Sequence, residues 1–249
     1  MKCAIWRLRL LLRWKYKTSL DYNMKNLPRL AFIAVALLNL LGGALANNTL
    51  IFCTKPLLMP ALAVWLVTAT SRQNEYSFLR KAVLGALVFS TLGDVLLIFS
   101  GPLFFLLGLF FFLLAHMFYI GAFSSISSFK NGFLSRNPWW ATPFVAFPIC
   151  LLVFLWAGIP VGMKSPVAAY ASVISVMALS VVNLKGKIAN AIFWPMLAGA
   201  ILFLLSDSLI AISKFGQPFE GSRLAIMGTY ILGQYLLVWG AVRMLSRVG

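Results

Sequence analysis

Apolar residues along this chain fall into eight long blocks separated by short polar or turn-forming breaks. Each block is near the roughly 20 residues that one helix needs to cross a bilayer. The breaks carry turn chemistry, for example at Asn47-Asn48, Gly101-Pro102 and Asn137-Pro138. The pattern therefore predicts an all-α, polytopic transmembrane helical bundle of about eight spans. The predicted spans are 30–46, 50–69, 82–99, 103–123, 139–158, 166–183, 190–213 and 224–242.

The first 28 residues differ from the rest of the chain because they are basic and contain only a short apolar patch. Leu10 to Leu12 lie between Arg9 and Arg13, which is too short to span and lacks the layout of a signal peptide. We expect residues 1–28 to lie on the membrane surface or to be disordered. Residues 29–245 are expected to form a single eight-span membrane domain.

Composition agrees with a chain whose solvent is lipid. Hydrophobic residues make up 61% of the sequence, charged residues 10%, and the mean hydropathy is +0.93. Soluble domains average about 45–50% apolar and about 25% charged residues. The surplus apolar surface is too large for an aqueous core, so we expect an integral, multi-pass membrane protein, placed in a bacterial inner membrane.

The strong positive charge fits membrane topology better than nucleic-acid binding. There are 21 Lys and Arg against 5 Asp and Glu, giving a net charge of +16. Under the predicted topology nearly all basic residues fall on one side. The exceptions are Lys164, Lys214 and Arg223 on the other side, and Lys55 inside a span. The positive-inside rule then predicts that both termini are cytoplasmic. We expect contact with anionic lipid headgroups and no nucleic-acid partner.

Metal and disulfide chemistry find little support in the sequence. The cysteines, Cys3, Cys53 and Cys150, are far apart and have no spacing typical of a metal site. The single histidine is His116. We therefore predict no metal and no cofactor.

Four ionisable residues lie inside predicted spans, where each costs at least ~2.5–3.5 kcal/mol on insertion scales. With a helix rise of 1.5 Å per residue, Lys55, Asp94 and Asp207 each lie roughly 7–9 Å below the outer boundary. His116 lies about 20 Å from that boundary, in the inner half. The sequence thus predicts that the lysine and two carboxyls converge in an outward-facing cavity, with His116 below them.

Two carboxyl groups in one low-dielectric site favour different protonation states, which is the usual arrangement for one acid and one base. Asp94 and Asp207 are therefore the predicted catalytic residues. An alternative stays open, in which Lys55 forms a structural ion pair with one Asp and the other Asp caps a helix.

Further polar residues in the spans are candidates for binding the substrate. Tyr170 and Asn39 come near the level of the carboxyls. Tyr119 shares a helix face with His116, and Tyr230 with Gln234. The full set of predicted substrate-binding residues is Lys55, Tyr170, His116, Tyr119, Ser206, Asn39, Tyr230 and Gln234.

A set of motifs in this order resembles the YhhN family, which is the lysoplasmalogenase family, over about residues 27–245. The motifs are Lys55 to Pro60 in span two, Gly93-Asp94 in span three, Ala115 to Tyr119 in span four, Tyr170 in span six and Gly199 to Ser208 in span seven.

The resemblance implies hydrolysis of the vinyl-ether bond of lysoplasmalogens, giving a fatty aldehyde and a glycerophospho-base. Such a bond is cleaved by protonating its β-carbon, and a nearby carboxylate then stabilises the oxocarbenium ion and activates water, as in glycosidases. The resemblance implies these two roles for Asp94 and Asp207, with Lys55 holding the ionised acid or the lipid phosphate. The expected partner is a single-chain lysophospholipid that enters from the bilayer between helices.

A transporter or proton-coupled carrier of lipids or small molecules is the main alternative, because paired acids and a membrane lysine suit it as well. An intramembrane aspartyl protease is disfavoured, because position 91 is Thr where its Gly-x-Gly-Asp signature needs Gly. A zinc hydrolase of the ceramidase type is also disfavoured, because it needs several histidines and this chain has one.

Overall fold

The computed structural model describes residues 26–70, 77–217 and 219–246, which form a bundle of α-helices. In chain order the helices are α1 Asn26–Ala44, α2 Asn48–Ala69, α3 Ser77–Leu96, α4 Pro102–Ser124, α5 Phe133–Arg136, α6 Thr142–Leu155, α7 Val161–Val182, α8 Asn190–Phe215 and α9 Ser222–Ser246. Residues 1–25 of the predicted basic segment lie outside the described residues. Its last three residues, 26–28, belong to α1.

Among the residues that the structure describes, seven helical stretches are long and apolar enough to cross a membrane. They are α1, α2, α4, the run Pro138–Leu155, α7, α8 and α9. The prediction of an all-α, polytopic helical bundle is confirmed. The remaining predicted span, 82–99, corresponds to α3, whose 20 residues include three charged side chains, Arg80, Lys81 and Asp94.

Several predicted spans have different ends in the structure; for example, α7 begins at Val161 rather than 166, and α9 continues to Ser246 rather than 242. Helix α3 begins five residues earlier than predicted, at Ser77, because charged residues at a helix end can reach water while the backbone stays helical. The run predicted as 139–158 starts with a 3₁₀ turn, Pro138–Ala141, and its helix ends at Leu155. Hydropathy alone does not show these local changes.

Local sequence explains how consecutive helices are joined. The side chain of Asn47 accepts a hydrogen bond of 3.0 Å from the backbone N–H of Leu50 and so caps the start of α2. Gly101 has a φ of 125°, a conformation that glycine adopts without strain, and Pro102 then opens α4. The short turn brings α3 and α4 together as antiparallel neighbours.

Six of the helices pack as a ring, in the order α2, α3, α4, α7, α8 and α9. Helices α1 and α6 lie outside this ring. Helix α9 contacts α2, α3 and α8, whereas α7 contacts α4, α6 and α8. Helix α1 lies against α2 and α9, where Phe32 stacks on Tyr235 with ring centroids 5.9 Å apart. Apolar side chains also cover the outside of the bundle, as at Val153 and Phe154, which are 70% and 78% exposed. Such a surface requires lipid around it.

Candidate active site

Asp94 near the end of α3 is held by side chains from two other helices. The Tyr230 hydroxyl on α9 donates a hydrogen bond of 2.7 Å to Asp94 Oδ2. Lys55 Nζ on α2 lies 3.8 Å from Asp94 Oδ1. The Asp94 carboxyl is almost fully buried, with 2% of the side chain exposed, so this ion pair is shielded from water. Burial of a charge in lipid requires such a partner.

Asp207 on α8 forms a second cluster with α4 and α7. The Tyr170 hydroxyl donates a short hydrogen bond to Asp207 Oδ2. His116 Nε2 lies 3.0 Å from the Tyr170 oxygen and 3.5 Å from Asp207 Oδ2. Because Tyr170 uses its only proton on Asp207, the consistent tautomer of His116 carries its proton on Nε2 and donates it toward the other two groups.

The prediction that His116 lies below the carboxyls is wrong, because its ring contacts Asp207 directly. A depth counted along the chain locates the Cα atom and ignores the side-chain direction. Side chains on a helix point toward its N-terminus. Helices α4 and α8 run in opposite directions, so the His116 and Asp207 side chains lean toward each other and close the gap.

The two carboxyls do not share one cavity as the sequence predicted. The aromatic ring of Tyr230 packs edge-on against Phe112 and Phe203, with ring centroids 5.8 and 5.5 Å away. The Phe203 ring in turn lies 4.8 Å from the His116 ring. Phe112 and Phe203 therefore stand between the Asp94 cluster and the Asp207 cluster.

Asp207 and Tyr170 lie where two narrow apolar clefts meet. Cleft A lies between α6, α7 and α8 and has about 60 Å³ of free space. Cleft B lies between α4, α7 and α8, beside the end of α3, with about 50 Å³. Both are walled by Val167, Tyr170, Asp207 and Ala211, and Asp94 lines neither. Of the two carboxyls, Asp207 is therefore the one that faces these clefts.

The other predicted binding residues serve contacts between helices. The Tyr119 hydroxyl donates 2.6 Å to Gln234 Oε1, and Gln234 Nε2 donates 3.1 Å to Ser90 Oγ, which links α3, α4 and α9. Ser206 Oγ donates 3.0 Å to the Ile226 carbonyl on α9.

Asn39 also has its partner on a neighbouring helix. Its Nδ2 donates 2.9 Å to Thr54 Oγ1 and joins α1 to α2. Hydrogen bonding between helices accounts for this residue, as it does for Tyr119, Gln234 and Ser206.

Sequence reasoning missed the residues that divide the site. Phe112 and Phe203 are two of 21 phenylalanines, and nothing in their local sequence distinguishes them. Gly93 gives an indirect signal, because a Cβ there would lie 2.6 Å from the Phe112 ring. The Gly-Asp pair thus places a ring directly behind the carboxyl.

The Asp207 cluster can move protons between fixed positions. Tyr170 bridges His116 and Asp207, so the loss or gain of a proton at Asp207 changes the hydrogen bonding of His116 through the Tyr170 hydroxyl. His116 Nδ1 is buried and makes no hydrogen bond. Within residues 26–70, 77–217 and 219–246, no three His, Cys, Asp or Glu side chains group as a metal site would require.

Comparison with known proteins finds a matching family model and several similar proteins. A model of the YhhN family matches residues 50–241. The lysoplasmalogenase TMEM86B of Homo sapiens is 33% identical over 166 residues, covering 64% of this chain and 62% of that protein. The lysoplasmalogenase TMEM86A of Bos taurus is 31% identical over 160 residues, or 63% of each chain.

A longer alignment is found with the lysoplasmalogenase TMEM86B of Rattus norvegicus, at 32% identity over 203 residues, which covers 79% of this chain and 73% of that protein. The chain spans a little under two thirds of the length of the human and bovine relatives. No solved structure matches it.

Proposed function

The chain belongs to the YhhN family, and from that premise we propose that it hydrolyses the vinyl-ether bond of lysoplasmalogen-type lysophospholipids. The products are a fatty aldehyde and a glycerophospho-base. The observation that carries the proposal is Asp207, a carboxyl inside a membrane bundle that faces apolar clefts and bonds to Tyr170 and His116.

The surroundings of Asp207 suit a lipid substrate. Both clefts are lined almost entirely by apolar side chains, so a hydrocarbon chain can lie beside the carboxyl without leaving an apolar medium. The relatives are named lysoplasmalogenases, and this name indicates the bond that we propose is broken.

The reaction we assign begins with proton transfer from Asp207. In this step the proton leaves from Oδ1, the oxygen of Asp207 to which Tyr170 does not donate. The proton goes to the β-carbon, the carbon–carbon π pair forms the new C–H bond, and the ether oxygen stabilises the resulting oxocarbenium ion. Water then adds to the α-carbon and returns a proton to the Asp207 carboxylate.

The resulting hemiacetal collapses to the products. Its hydroxyl proton moves to the glycerol oxygen as the C–O bond breaks, so one water is consumed and Asp207 ends as it began. His116 and Tyr170 stabilise the Asp207 carboxylate that exists between the two proton transfers, because both donate toward Oδ2.

Asp94 has a different role in this proposal from the one expected from the sequence. It is buried behind Phe112 and Phe203 and is paired with Lys55. We assign it to positioning, since it holds Tyr230, whose ring packs on the same Phe203 that supports His116.

The test compares acid-to-amide variants of three carboxyls. Aldehyde release from a vinyl-ether lysolipid is measured with purified protein. We expect Asp207→Asn to lower kcat by about 10²- to 10⁴-fold, the usual contribution of a positioned acid and base. Asp94→Asn should lower kcat by roughly tenfold, because it affects only positioning. Glu220→Gln, an exposed acid, is the control and should be unchanged.

Three outcomes contradict parts of this assignment. Equal, near-complete loss in Asp94→Asn and Asp207→Asn returns Asp94 to the reacting centre. Full activity of Asp207→Asn removes that carboxyl from the chemistry. Failure of the wild-type protein on every vinyl-ether lysolipid rejects the hydrolase proposal itself.

A further inference from the structure

A lysine stands at one end of cleft A and has no part in the chemistry assigned above. Lys164 lies in α7 one turn before Val167, which lines the cleft. Its Nζ lies 4.8 Å from the centroid of the Trp156 ring. Trp156 directly follows Leu155 in the sequence, and Leu155 also lines the cleft. Lys164 and Trp156 therefore mark the rim of cleft A.

The other end of cleft A continues as a groove between α6 and α7. This groove has about 260 Å³ of free space and shares Pro148, Leu152 and Ala171 with cleft A. It reaches Leu179, almost at the end of α7. Ile149 in its wall is 55% exposed, so the groove opens onto the apolar outside of the bundle.

We propose that cleft A and this groove form one track for a single lysophospholipid, with the phosphate on Lys164 and the hydrocarbon chain in the groove. The inference rests on the proposed hydrolase function and adds the recognition of the phosphate and the direction in which the lipid lies. Charge complementarity selects the occupant, because a cation at one end and an apolar groove at the other match a single-chain lipid that carries a phosphate.

The spacing from Lys164 to the reacting group agrees with this placement. The six residues from Lys164 to Tyr170 rise roughly 9 Å along α7. In a lysoplasmalogen, seven bonds separate the phosphorus from the β-carbon of the vinyl ether, or roughly 9 Å when extended at about 1.25 Å per bond. A phosphate at Lys164 therefore puts the carbon to be protonated beside Asp207.

The groove also has a length that suits the hydrocarbon chain. From Tyr170 to Leu179 the helix rises roughly 14 Å, which matches about eleven extended methylene groups. The remaining carbons of a longer chain extend past the groove into the bilayer. A substrate that enters laterally from the bilayer therefore inserts its hydrocarbon chain into the groove first.

Cleft B also has a lysine near its rim, and this lysine provides a matched control. Lys214 lies in the last turn of α8, and its Nζ is 5.1 Å from the centroid of Phe105, a residue that lines cleft B. Lys164 and Lys214 have the same side chain and the same kind of aromatic neighbour, but cleft A alone leads into the groove between α6 and α7.

The experiment measures kinetics with two substrates of equal chain length, a 1-alkenyl-glycerophosphocholine and the phosphate-free 1-alkenyl-glycerol. We expect Lys164→Met to raise KM for the phospholipid roughly tenfold, the lower end of what one charge-assisted hydrogen bond contributes. Its kcat should not change, because the contact is equal in the ground and transition states. Lys164→Arg should restore the wild-type KM, and Lys214→Met should leave it unchanged.

A second comparison tests the groove. Ile149→Trp adds bulk inside it, whereas Val153→Trp makes the same kind of change on an exposed part of α6 that does not line it. We expect only Ile149→Trp to raise KM for a sixteen-carbon chain more than for a six-carbon chain.

The outcomes separate this inference from the function on which it rests. If the wild-type protein releases no aldehyde from either substrate, the hydrolase proposal falls and the track falls with it. If the wild type is active but Lys164→Met affects both substrates alike, or neither, the phosphate contact is wrong while the function stands. A phospholipid-specific effect in Lys214→Met instead assigns the lipid to cleft B and overturns the track.

Discussion

Each membrane carboxyl has a tyrosine hydroxyl on one oxygen, but the basic side chain beside it differs. Asp94 lies against Lys55, whose ammonium group can only donate hydrogen bonds, whereas Asp207 lies against His116, whose ring nitrogens can both donate and accept a proton. The Asp94 cluster therefore suits a permanent structural role. The Asp207 cluster suits repeated proton transfer.

The Lys55–Asp94 pair should show a measurable coupling in stability. Lys55→Met leaves the Asp94 carboxylate buried without its counter-ion and should lower the free energy of unfolding by about 3 kcal/mol. The double variant Lys55→Met/Asp94→Asn should recover most of that loss, because no unpaired charge is left. Unfolding in mixed detergent micelles measures both values, and strictly additive losses would show that the two groups do not interact.

Several residues of the site are predictable from sequence for one physical reason. Lys55, Asp94 and Asp207 stand out because a charge in lipid is costly, and the structure gives Asp94 the kind of ion-pair partner that this cost requires. Phe112 and Phe203 carry no such cost and cannot be recognised among so many apolar residues. The position of His116 was mispredicted because depth along the chain does not describe where a side chain points.

At the scale of elements, glycine sets how closely α8 and α9 approach. A Cβ on Gly233 would lie 3.0 Å from the Gly199 carbonyl oxygen and 3.1 Å from the Phe203 backbone nitrogen. Phe203 and Gln234 both sit at this contact, so the close approach also fixes the rings that divide the two carboxyl clusters. Small residues at helix contacts are typical of membrane bundles.

Gly233→Ala should therefore push α8 and α9 apart and lower the free energy of unfolding by about 1–3 kcal/mol. Gly228→Ala on the same helix is the matched control, since a Cβ there meets nothing within 4 Å. It should be neutral or stabilise the fold by up to about 1 kcal/mol, because alanine favours the helix. Equal effects of the two variants would contradict a packing role for Gly233.

Helix ends were less predictable than helix existence. Blocks of apolar residues identify which segments are helical, because only a helix satisfies its own backbone hydrogen bonds in lipid. They do not identify where a helix leaves the lipid. Helix α3 accordingly extends back past Arg80 to Ser77, and the 3₁₀ turn before α6 was missed.

For the whole molecule, the distribution of basic residues makes a prediction about orientation that includes α3. If α3 crosses the membrane from the cytoplasmic side, its two ends lie in different compartments. Ser77 and Ser100 flank it and are both exposed. In a background in which the native cysteines are replaced by serine, we expect a membrane-impermeant maleimide to label Ser100→Cys in intact cells and Ser77→Cys only after permeabilisation.

The reverse labelling would show that the termini face outward. Labelling of both sites in intact cells, or of neither, would show that α3 does not cross and that the number of spans is odd.

The groove between α6 and α7 has a consequence for what happens after the bond is broken. Under the proposed reaction the two halves of the lipid differ in solubility, and they lie toward opposite ends of the track. The fatty aldehyde is already in the groove and can partition into the bilayer through the side that Ile149 leaves open. The head group, freed of its chain, departs past Lys164 into water. Neither product has to pass the other, and the reactive aldehyde leaves without crossing an aqueous phase.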